Sequence, residues 1–91
     1  MALTKETVVD KIEVMEMGQV QVRTATRVKE DGTVLSTSFH RHVVHPSIKT
    51  GDTWADTDIS GEDARVQAVA NATWTSEVKT AYQEMIDAQA L

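Results

Sequence analysis

The chain has no cysteine, one proline and four glycines in 91 residues. Lack of cysteine excludes a disulfide framework, a thiolate metal site and a cysteine nucleophile, so the staples of small secreted domains are missing and a reducing interior or a particle fits best. No window approaches the roughly eighteen apolar residues of a membrane span, and the opening M-A-L-T-K-E-T has no apolar run. A soluble chain with no targeting address is therefore expected. Clustered positive charge is lacking too. Net charge is −5, and Arg23, Arg27, Lys29, Arg41 and Lys49 are scattered. A phosphate-binding surface would work against long-range repulsion, so nucleic acid is not an expected partner. A single domain of this size buries a modest share of its surface, so marginal stability or support from a partner is expected.

What is present is alternation followed by helical periodicity. V-V-D-K-I-E-V-M alternates apolar and charged residues, which predicts a strand over about 8–15 with one wet face. Glu16-Met17-Gly18 suits a three-residue hairpin loop with glycine at positive φ. The β-branched, alternating Gln19–Lys29 stretch is the second strand, and Glu30-Asp31-Gly32 repeats the turn pattern before a third strand over about 33–45. Pro46, with no N–H to donate, ends that strand. Residues 46–60 show no sustained period and read as a long loop. Ser60 resembles a capping-box start for a helix over about 61–72, and Thr75 caps a second over about 76–90, whose stripe is Val78, Ala81, Tyr82, Met85 and Ile86. Trp74, at the joint, is expected to plug the corner between helices and sheet. The fold class is α+β: a three-stranded antiparallel meander with two C-terminal helices packed on one face.

Two three-residue loops set Val14 opposite Val20, Ile12 opposite Val22, Val28 opposite Val34, and Val22 and Val20 opposite His40 and His42. One face then carries Ile12, Val14, Val20, Val22, Thr24, Thr26, Val28, Val34, His40, His42 and Val44. The other carries Lys11, Glu13, Arg23 and Arg27, together with Leu35, Phe39 and Val43. The third strand's larger apolar residues thus disagree with their neighbours, and a one-residue slip or a bulge would exchange the faces.

No stretch carries a catalytic signature, and the chain is not expected to be an enzyme. Ser36 or Ser38 beside His40 lacks the strained turn of a nucleophile. No glycine-rich phosphate loop follows any strand, and G-D-T-W-A-D-T-D lacks the offsets of an EF-hand, so no cofactor is expected. His40 and His42 leave one face two residues apart and are the candidate metal ligands. Two imidazoles are too few for a closed site. Three chains about a symmetry axis would supply six nitrogens, a set suited to iron or nickel. Trp54 either folds back on the domain as a lid or docks on another chain. With Phe39 and Arg41 it forms the set expected at a protein interface. The strands at 8–15 and 33–44 are sheet edges open to strand addition.

Four stretches, M-A-L-T-K-E-T-V-V-D-K-I-E-V, V-R-T-A-T-R-V-K-E-D-G, F-H-R-H-V and A-N-A-T-W-T-S-E-V-K-T-A-Y-Q, together resemble a group of small tailed-bacteriophage proteins encoded among tail, tail-fibre and late structural genes. The resemblance spans nearly the whole chain and brings no catalytic residues. It implies a virion accessory or structural protein, tail or tail-fibre associated, which binds other phage structural proteins or forms a homo-oligomer. Its location would be the virion, and the host cytoplasm during assembly. A small soluble regulator or inhibitor of a host protein, or a capsid decoration protein, are the alternatives.

Overall fold

Alternating β-branched residues around Val20–Thr26 become the central strand of the sheet. In a computed structural model describing residues 2–89, β1 (Leu3–Val14), β2 (Val20–Glu30) and β3 (Thr33–Val44) pair antiparallel in the order β1-β2-β3. A hairpin, β4 (Ser47–Thr50) and β5 (Thr53–Asp56), precedes α1 (Ala64–Thr73) and α2 (Ser76–Gln89). The expected meander followed by two packed helices is present.

The first turn forms as its residues dictate. Gly18 N–H donates to the Met15 carbonyl at 3.0 Å, Met15 N–H donates to the Gln19 carbonyl at 2.8 Å, and Gly18 sits at φ 88°. Val14 then faces Val20 and Ile12 faces Val22, as expected. The second turn is tighter than expected. Glu30 pairs with Thr33, leaving Asp31 (φ 49°) and Gly32 (φ 85°) as a two-residue turn. Positive φ at both positions matches the twist of the flanking strands. An extra residue at Leu35 follows, so Lys29 faces Val34 while Val28 faces Ser36. The expected Val28–Val34 pair is therefore absent, and Val34 leaves by the opposite face. Beyond the bulge His42 faces Val22 and His40 faces Thr24, two residues out from the expected register. A shift of two preserves the faces, so both histidines still lie on the side of Val20 and Val22.

That side carries the core. Val20, Val22 and Val44 pack with Val66 and Ala70 of α1 and with Trp74, flanked by Val9, Ile12, Ile59, Val69 and Val78. Trp74 plugs the corner as expected: it is 9 % exposed, and its Nε1 donates to the Gly18 carbonyl at 2.7 Å. Pro46 lies buried just past β3. All these core residues of the sheet lie toward the first turn. The opposite end, with the turn at Asp31-Gly32, extends as an arm, and the molecule measures 57 × 26 × 21 Å.

Three boundaries depart from expectation. β1 begins at Leu3 rather than about residue 8, because Thr4–Thr7 pair with Thr26–Lys29 in the arm, where neither face has a helix to bury against and no apolar alternation is needed. The stretch at 46–60 contains β4 and β5, joined by Gly51-Asp52 with Gly51 at φ 62°. α1 is capped by Asp63, which accepts from Arg65 N–H at 2.9 Å, so Ser60 stands outside the helix. Thr75 does cap α2, accepting from Val78 N–H at 3.3 Å. The expected extension of α2 to Ala90 lies outside the described residues.

Candidate protein-interaction face

α1, with Trp74 and Val78, covers one face of the meander at its first-turn end, α2 rests on β4, and the other face is left open. Across the open face the three strands align in rows: Glu13, Gln21 and Val43; Lys11, Arg23 and Arg41; Val8, Ala25 and Phe39; Glu6, Arg27 and Thr37. A bulge at Asp10 shapes this surface. Pairing skips from Val9–Thr24 to Lys11–Arg23, and the extra residue turns its carboxylate onto Arg23. Arg23 grips Asp10 with two hydrogen bonds, at 3.0 and 2.8 Å, and its guanidinium carbon lies 4.4 Å from the centroid of the Phe39 ring. Asp10 thus orients Arg23, and Arg23 supports the ring from one side. Nothing in V-V-D-K marks Asp10 for this role, because a bulge leaves no composition signal of its own.

Phe39 is 52 % exposed, with Val34, Leu35 and Val43 between 44 and 55 %. These residues line the outer strand, where the sequence expects Phe39 and Arg41 to meet a partner. Lys11, Glu13, Arg23, Asp10, Arg27, Lys29 and Glu6 are tied in ion pairs. Arg41 has no ion pair among the described residues, although it shares a row with Arg23. Five basic residues (Lys11, Arg23, Arg27, Lys29, Arg41) meet three carboxylates (Glu6, Asp10, Glu13) here, in a chain of net charge −5. The open face is the positive side of an acidic protein. A shallow apolar groove beside Val43, lined by Met15, Met17, Gln19 and His45, continues this surface around the sheet end. Matching known proteins finds no family model, no curated protein and no solved structure that matches the chain.

Trp54 does not join this face. It lies on β5, half-buried, with its ring edge-on to Tyr82 at 6.1 Å and its Nε1 donating to Asp87 at 3.4 Å. Lys49 stands 5.6 Å from the centroid of the indole and pairs with the same carboxylate at 2.7 Å. Trp54 thus rests on the chain's own domain, with part of its surface still exposed. His40 and His42 lie on the side of Val20 and Val22. Their rings stack at 6.2 Å, and His42 Nε2 meets Glu62 Oε1 at 2.7 Å. Among the described residues no three His, Cys, Asp or Glu side chains converge on a point where an ion would sit. The loop acids have local work: Asp58 accepts from Ser60 N–H, Asp63 caps α1, and Asp56 pairs with Lys79.

The ion pairs give the fold a pH dependence of definite sign. Hydrogen bonds from Arg23 hold the Asp10 carboxyl below its ordinary range, and Lys29 does the same for Glu6, Lys11 for Glu13 and Lys49 for Asp87. A carboxylate with a depressed folded pKa contributes stability that is complete above its unfolded value, near 4, and is lost as pH falls through the folded one. The urea midpoint should therefore drop as pH is lowered below about 4. Asp10→Asn should lower the midpoint at neutral pH and flatten the acid slope. An unchanged slope in that variant would remove Asp10 from the account.

Proposed function

We propose that this chain is a non-catalytic, protein-binding component of a tailed-phage particle, associated with the tail or its fibres. Phe39 and Val43, exposed beside unpaired Arg41 on a sheet face that no helix covers, carry the binding half of this reading. Aromatic and arginine side chains surrounded by apolar surface are the composition of interface hot spots, and unpaired Arg41 favours a partner with a carboxylate between apolar residues. The four sequence stretches resembling late-gene phage proteins support the particle half. Mass spectrometry of purified virions should find the chain at stoichiometric levels, and imaging should locate it on the tail. Presence on the head would move the assignment to capsid decoration. Absence from virions, with a host protein retained by the wild type and lost on Arg41→Glu, would replace it with a regulator of that host protein.

A further inference from the structure

The two edges of the sheet are built differently. β1 carries Lys5, Glu6, Asp10, Lys11 and Glu13, is bulged at Asp10, and has its Val9 carbonyl taken by the Arg65 guanidinium. Charges, a bulge and a covering side chain are the usual protections of an edge strand against pairing with another chain. β3 has almost none of them. From Thr33 to Val44 it has no proline, no lysine, no carboxylate and one arginine, and Thr33–Arg41 is exposed throughout. Its bulge lies at one end, leaving Ser36–Val44 regular.

The side chains of β3 also form a near-palindrome about Phe39. On the open face the order is Leu35, Thr37, Phe39, Arg41, Val43, which alternates apolar and polar with the ring at its centre. We infer that β3 pairs antiparallel with β3 of a second copy about a two-fold axis at Phe39, joining two meanders into one six-stranded sheet. Phe39 then faces Phe39 of the other copy, Leu35 faces Val43, and Thr37 faces Arg41, which keeps the two arginines apart. The row Val8, Ala25, Phe39 continues into the same row of the second copy, giving one apolar band across all six strands. On the other face Ser38 meets His40 and Ser36 meets His42, polar against polar. A centre at His40 would instead set Phe39 against Arg41 and Val43 against Thr37, and a centre between two residues would pair side chains of opposite faces. Two-fold closure also uses up the unprotected edge, so the sheet ends in two guarded β1 strands. The inference goes beyond membership of a particle: a chain missing from virions would still dimerise, and a virion component that stays single would sink this inference alone.

Absence of cysteine makes the register directly measurable. Antiparallel partners have Cα atoms about 4.5–5.5 Å apart, within disulfide reach. Under mild oxidation Phe39→Cys should link to itself at least about tenfold faster than Thr4→Cys on the guarded edge, since pairing raises the effective thiol concentration. A mixture of Thr37→Cys and Arg41→Cys should give the mixed disulfide ahead of either self-linked product. Wild-type mass by sedimentation should rise from one chain to two with concentration, because a single strand pair buries less than about 1,200 Å², the weak end of specific interfaces. Phe39→Asp should weaken that association at least about tenfold, with circular dichroism unchanged because the site is exposed. Self-linking that peaks at another position would overturn the register. A single-chain mass at every concentration, with the outward amides of β3 open to hydrogen exchange, would leave the edge to a different protein and overturn the second-copy assignment.

Discussion

Gly18→Ala is expected to destabilise the fold by about 2–5 kcal/mol, a large part of the roughly 5–14 kcal/mol that a domain of this length holds. Two costs coincide at this residue. Gly18 sits at φ 88°, where a side chain collides with its own backbone. An added Cβ would also lie 2.5 Å from Val78 Cγ1 and 3.0 Å from Pro46 Cγ, both on stiff side chains held in the joint between sheet and helices. Gly32 separates the terms. It has a similar φ of 85° but nothing within 4 Å of an added Cβ. Gly32→Ala should cost only the backbone share, about 1–2 kcal/mol. Urea unfolding of the two variants measures the difference, and equal midpoints would show that the contact with Val78 and Pro46 relaxes freely.

Trp74→Ala should cost about 3–5 kcal/mol, the usual range for deleting a buried large aromatic. The ring fills the corner where α1 ends, α2 begins and the first hairpin turns, in one buried cluster with Val20, Val22 and Val44. Its Nε1 hydrogen bond also pins the Gly18 carbonyl, a backbone acceptor inside the fold. Trp74→Phe isolates that bond, since the benzyl ring fills most of the space but donates nothing, and should lose about 1–3 kcal/mol. The two positions are coupled, so Gly18→Ala combined with Trp74→Ala should destabilise less than the single changes added together. A loss below about 1 kcal/mol for Trp74→Ala would mean that the corner collapses around the gap and that Trp74 is not its keystone.

The residues that could be read in advance are those whose pattern reflects burial by a neighbour. Val20 and Val22 alternate because helices lie on them, and Trp74 stood out because a tryptophan between two helical periods has few other places to go. Thr4–Thr7 gave no strand signal because the arm buries neither of its faces. The register of the second hairpin turned on whether Glu30 belongs to the loop. Asp31-Gly32 alone is a strong two-residue turn signal, and the bulge at Leu35 then restored the faces that the shorter loop had shifted. β4 and β5 were hidden by shortness, four residues each around Gly51-Asp52, and they hold together by resting on α2 through Trp54, Lys49 and Asp87. On the open face, Phe39 was legible as an apolar residue out of step with its charged neighbours. The carboxylate that holds Arg23 over the Phe39 ring was not, since Asp10 reaches Arg23 only by breaking the alternation of its own strand.

Confinement of the helical layer to one end of the sheet divides the chain into a part fixed in size and a part whose length is adjustable. Adding two residues to β2 and two to β3 beside the Asp31-Gly32 turn would extend the arm by one full pleat, returning every inward side chain inward and leaving Val20, Val22, Val44 and Trp74 where they are. One residue on each strand would instead turn the Asp31-Gly32 loop over to the other face. The arm can therefore be lengthened or shortened in paired steps, like a ruler with one mark per pleat, without repacking the core that anchors it.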